Sequence, residues 1–70
     1  MNLENVELNV ILDIRHADFP DEPISMRVVA DGADEICVRD ITCGALFLLN
    51  KETGIDSDFD SYTAVGVYDE

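Results

Sequence analysis

Positive charge is what this sequence lacks most. Only four lysines and arginines face 16 aspartates and glutamates in 70 residues, leaving a formal net charge of −12 and a pI near 4.1. So anionic a surface is repelled by phosphate, which disfavours direct binding to nucleic acid or anionic lipid and favours basic proteins as partners. Histidine is limited to His16, and cysteine to Cys37 and Cys43. The spacing of the two thiols matches no common zinc or redox pattern, and one histidine cannot complete a four-ligand zinc site without recruiting carboxylates. Two buried, reduced thiols and no cofactor are expected. Long apolar runs are missing too: none approaches the roughly 20 residues of a membrane span. The start "MNLENVELN" has neither the basic residues nor the apolar block of a signal peptide. The chain reads as soluble and cytoplasmic, without membrane contact.

Enough apolar material is present to fold. Hydrophobic residues make up 47% of the chain, which excludes a disordered acidic tail. A chain of this length forms one domain, residues 1–70, and buries only about 60% of its unfolded surface, so a second subunit would help it. Val6, Leu8, Val10, Leu12 and Ile14 alternate with Glu7, Asn9, Ile11 and Asp13, the period of a half-buried strand. "HADFPDEP" breaks that run with two prolines and three acids. A second strand is expected over Ile24 to Ala30 and a third over Glu35 to Asp40, with Asp31-Gly32 marking the turn between them. These three read as an antiparallel meander.

The run "ITCGALFLLNKETG" has a different period. Ile41, Ala45, Leu48 and Leu49 fall at helical spacing, Asp40 or Thr42 can cap the start, and Gly54 sits where a left-handed C-cap belongs. The spacing predicts a helix over about 42–52, against which Gly44 counts by roughly 1 kcal/mol. Leu46 and Phe47 lie off the first apolar face of that helix, so a second cover is expected, most simply another copy of the chain meeting at Leu46 and Phe47. "YTAVGVY", Tyr62 to Tyr68, reads as a last strand. The expected fold is α+β in the order β-β-β-α-β, one helix packed on the meander, assembled as a homodimer. A right-handed crossover would lay the last strand parallel to the first or third.

The stretch "DSDFDS" sets carboxylates at Asp56, Asp58 and Asp60. Counted as a calcium loop from Asp56, the first, third and fifth positions are met. The sixth is Ser61 where glycine is needed, and the twelfth is Val67 where a bidentate glutamate is needed. No metal site is therefore assigned. In an extended segment the three aspartates instead form a row about 6.6 Å apart. With the meander and the returning helix, Asp31, Asp34, Glu35, Asp56, Asp58 and Asp60 are expected to converge at one end, and Asp18, Asp21 and Glu22 at the other. Regularly spaced carboxylates of this kind can occupy a cationic groove built to read phosphates.

In size, acidity and its loop acids "DFPDEP", "DGADE" and "DSDFDS", the chain resembles small acidic phage-encoded proteins that mimic DNA. It is most similar to phage inhibitors of the bacterial nucleoid protein HU. The resemblance implies a host-takeover inhibitor, acting in the bacterial cytoplasm, that binds a basic DNA-binding protein through those carboxylates and blocks its contact with DNA.

Catalysis is not expected. His16 stands near Asp18, but no nucleophile signature accompanies the pair and a chain this short has little room for a cleft. The rival reading is a small acidic adaptor or structural dimer that binds through its apolar helix, its charge serving solubility.

Overall fold

The computed structural model describes residues 1–57 and 61–68. Five strands form one antiparallel sheet: β1 (Ile11–His16), β2 (Phe19–Asp31), β3 (Glu35–Asp40), β4 (Leu46–Asn50) and β5 (Tyr62–Val67). Their spatial order is β4-β3-β2-β1-β5. The 13-residue β2 organises the sheet: its middle pairs with β1, from Ile24 opposite Ile14 to Arg27 opposite Ile11, and its second half pairs with β3. The strand order and twist curl the sheet into a half-barrel around its apolar face.

Alternation decides which side chains enter that half-barrel. Leu12 and Ile14 of β1, Met26 and Val28 of β2, Ile36 and Val38 of β3, Leu49 of β4 and Ala64 of β5 are buried, joined by Leu3 from the N-terminal segment. Each large aliphatic side chain so buried stabilises by about 1.5–3 kcal/mol, and chain entropy offsets most of that gain, so a core of this size leaves only a small margin in so short a chain. The two edges of the sheet are linked by residues 54–57. The N–H of Asn50 donates to the Ile55 carbonyl and that of Ser57 to the Leu48 carbonyl, while on the other side Asp56 N–H reaches Tyr62 and Ala64 N–H reaches Gly54. That segment occupies backbone groups that bare sheet edges would offer to other chains.

The fold is all-β, which corrects the α+β expectation. No helix occurs among the described residues, and the stretch expected to be helical is a turn followed by β4. Asp40 does cap, as its position suggested: its Oδ1 accepts the N–H groups of Thr42 at 2.8 Å and Cys43 at 3.4 Å. The turn stops after one cycle, because Gly44 enters the left-handed region at φ 79° and Asp40 N–H closes onto the Ala45 carbonyl. The same device recurs ten residues on. Asn50 Oδ1 accepts from Glu52 and Thr53, Gly54 N–H donates to the Asn50 carbonyl, and Gly54 lies at φ 75°. Two such turns leave only five residues between them, "LFLLN", and a short apolar run fits either period. Within it Leu49 is buried and Phe47 packs on the core, while Leu46 and Leu48 face outwards. The helix apolar on two sides, from which the homodimer was argued, is therefore absent. The last strand is corrected as well: β5 lies antiparallel to β1, with Leu12 opposite Val67 and His16 opposite Tyr62.

Two strand boundaries also differ from expectation. Val6 to Val10 does not continue β1, because Asn9 adopts φ 71° and its N–H bonds to Val28 instead; asparagine tolerates that conformation better than most residues. In the other direction, β2 begins at Phe19 and includes Pro20 and Pro23. Both prolines fall where the β1 register jumps from Ile14–Ile24 to His16–Phe19, so no ladder donor is required of them.

Candidate functional site

The carboxylates singled out by sequence are distributed unevenly. Asp18, Asp21 and Glu22, at the β1–β2 hairpin, are all exposed, and the Asp18 side chain keeps 79% of its surface in contact with solvent. The hairpin that presents them is pinned from inside. Asp18 N–H donates to His16 Nδ1 at 3.0 Å, Arg15 Nη1 donates to the Pro20 carbonyl at 2.8 Å, and Ala17 N–H bonds to Ser61. His16 packs edge-on against Tyr62, with ring centroids 4.9 Å apart, and lies 5.9 Å from the exposed ring of Phe19. Because His16 Nδ1 accepts a backbone N–H, the proton of the neutral ring sits on Nε2. The histidine therefore shapes the turn, and the Asp18 carboxylate lies 4.0 Å from Nδ1.

Beside this hairpin, Arg15 grips Asp13 with two parallel bonds, Nε to Oδ1 and Nη2 to Oδ2, each 3.0 Å. Those bonds hold the Asp13 carboxyl below its usual value of 3.8, against the opposing effect of burial, and they raise Arg15 in turn. A carboxyl depressed in the folded state contributes stability above its unfolded pKa and loses it as pH falls through the folded one. Asp13→Asn should therefore lower the urea midpoint slightly at neutral pH, and by progressively less as the pH falls below the usual carboxyl value of 3.8. A deficit that does not shrink with falling pH would show that the pair is not the cause.

A second acidic region surrounds Lys51. Its Nζ lies 2.6 Å from Asp31 Oδ1, and its backbone N–H donates to the Asp34 carbonyl. The N-terminal segment closes the arrangement, Leu3 N–H bonding to the Lys51 carbonyl at 2.6 Å. Glu4, Asp34 and Glu52 line, with Lys51, a surface pocket of about 390 Å3. Glu4 and Glu52 were not anticipated from sequence, because only the return of the N-terminus across the Asn50–Gly54 turn brings them to the β2–β3 turn. Of the carboxylates expected to converge here, Asp31 and Asp34 are exposed and Glu35 is half-buried on β3. Asp56 is not part of the display: it is 1% exposed, in the segment that links β4 to β5. Asp58 and Asp60 lie outside the described residues.

Cys37 is half-buried and Cys43 exposed, so the thiols do not share the core. Leu46 is 59% exposed on the outer face of β4, whereas Phe47 turns inward, its ring 4.6 Å from that of Tyr62. No group of three or more His, Cys, Asp or Glu arranged to hold a metal occurs among the described residues. No helix among them is long and apolar enough to cross a membrane.

Electrostatically the surface is dominated by unneutralised carboxylates. Eight of the twelve described aspartates and glutamates are exposed, while Arg15 and Lys51 are each engaged with an aspartate of their own chain. Such an arrangement attracts a cationic protein over a distance set by salt. No protein-family model, no curated protein and no solved structure matches this chain.

Proposed function

We propose that this chain is a DNA-mimic inhibitor. It binds a basic DNA-binding protein, of the kind exemplified by the bacterial nucleoid protein HU, and occupies the groove that DNA would fill. The observation that carries this reading is the exposed hairpin triad Asp18, Asp21 and Glu22, held on a pinned turn in a chain of net charge −12. The acidic rim at Asp31, Asp34, Glu4 and Glu52 supplies a second set of charges, partly offset by Lys51. On this reading the protein works in the cytoplasm of a bacterial host, carries out no catalysis and needs no cofactor.

The test is displacement of labelled duplex DNA from purified HU. The chain should release the duplex at about 0.1 M salt, where the Debye length is roughly 10 Å, and fail at about 1 M, where it is roughly 3 Å. Absence of displacement at low salt would remove HU as the target. Displacement that persists at high salt would favour the rival reading, an acidic adaptor with an apolar contact. That contact would have to be the exposed face of β4 with Leu46 and Leu48, since the helix once expected to provide it is not there.

A further inference from the structure

The outer face of the sheet carries a feature that charge display does not explain. Ile36 and Val38 of β3 point into the core, so Glu35, Cys37 and Arg39 alternate onto the outside. On β4, Leu48 stands opposite Cys37 and Leu46 opposite Arg39, 39% and 59% exposed. On β2, Arg27 stands directly opposite Arg39. Two like charges in register on neighbouring strands oppose folding, and this chain has 16 acids with which to neutralise them. Instead, among the described residues, Arg27 and Arg39 form no salt bridge, whereas Arg15 and Lys51 each do. The two uncommitted cations thus sit together in an apolar field on an otherwise anionic molecule.

The same strand holds the complement. Glu35 and Arg39 lie on one face, four residues or about 13 Å apart, with Cys37 midway. A two-fold axis lying in the plane of the contact, at right angles to β3 and level with Cys37, exchanges the two ends. We infer that the outer face of β3, flanked by Leu46 and Leu48 of β4, is an isologous contact with a second copy of this chain, Glu35 meeting the partner's Arg39 and Arg39 meeting the partner's Glu35. Self-complementarity of this kind is what a two-fold interface requires. Charge favours the same choice: two chains of −12 approach with least repulsion through the face where their free cations are gathered. A stable contact of about 1,000 Å2 in total would take only about a ninth of each copy's 4479 Å2 surface. The hairpin triad lies on a different part of the chain, so this contact does not depend on the cationic partner proposed above.

Sedimentation of the full chain over a concentration series tests the inference. The parent should approach twice its 7.8 kDa mass. Glu35→Arg alone places arginine against arginine at both ends of the contact, and Arg39→Glu alone places glutamate against glutamate. Each should weaken self-association on the order of 100-fold. Mixed in equal amounts, the two variants regain both opposite-charge pairs and should form a heterodimer within roughly tenfold of the parent affinity. A parent that stays monomeric throughout, or folded variants that do not associate with each other, would overturn the inference. Should either single variant fail to fold by circular dichroism, the double variant Glu35→Arg with Arg39→Glu decides. It keeps both pairs, so a dimer supports the contact and a monomer refutes it.

Discussion

Gly54→Ala is expected to unfold most of the protein at physiological temperature, while Gly44→Ala lowers Tm by about 4–16 °C and leaves the protein folded. Both glycines are left-handed, at φ 75° and 79°, and both end the same kind of one-cycle turn. A side chain in that conformation costs roughly 1–2 kcal/mol at either position. The difference lies in what surrounds them. A Cβ at Gly44 would meet nothing within 4 Å, whereas one at Gly54 would lie 2.5 Å from the Met1 carbonyl oxygen and 3.3 Å from the Met1 nitrogen. Backbone cannot give way as a flexible side chain can, so the N-terminal segment would have to leave, taking Leu3 out of the core. Losing Leu3 adds roughly 1.5–3 kcal/mol, and the sum rivals the roughly 3–5 kcal/mol that a core of this size supplies. Urea and thermal melts of the two variants check this. Gly44→Ala should lower Tm by about 4–8 °C per kcal/mol, and equal losses for the two would mean that the N-terminus is not packed against Gly54.

Neutralising the hairpin with Asp18→Asn, Asp21→Asn and Glu22→Gln should weaken binding to a basic DNA-binding partner on the order of 100-fold at low salt. The fold should survive, since all three side chains are exposed and their removal lowers self-repulsion in a chain of −12. The affinity that remains should also depend less steeply on salt, because fewer charges meet the cationic surface. The matched control neutralises Glu4, Asp34 and Glu52 around Lys51. A large loss there with none at the hairpin would move the contact to the Lys51 rim. An unchanged affinity in both would leave carboxylate display without a role in binding.

Period-two patterning made most of the sheet legible. β3 runs over Glu35 to Asp40 as its alternation implied, and the buried Leu12, Ile14, Met26 and Val28 lie within the two runs recognised before it. β5 begins at Tyr62, where its aromatic and β-branched residues begin. The capping groups were legible too: Asp40 caps and Gly54 is left-handed. What misled was their meaning. A cap followed by a glycine reads as the two ends of a helix, yet here each Asx residue has its own glycine four positions later, and two single turns flank a strand. Five apolar residues cannot arbitrate between those outcomes, and the backbone bonds of β4 to β3 and to residues 54–57 decided it.

For the site, exposure at the hairpin followed from composition, because a turn with two prolines and three acids has nowhere to go but solvent. Burial of Asp56 did not follow, nor did the gathering of Glu4 and Glu52 beside Lys51, since both depend on the chain closing the half-barrel on itself.

By itself, then, the sequence determined the charge, the alternation of β1, β2 and β3, and the turn-forming chemistry at residues 40 and 50, because each of these is a local property of side chains and backbone. Only the tertiary structure decided that the middle run is a strand, that Asp56 is hidden while Asp18, Asp21 and Glu22 are displayed, and that Arg27 faces Arg39. Those depend on register and on closure between segments distant in the chain, which are set by the joint burial of nine apolar side chains rather than by any one stretch of residues.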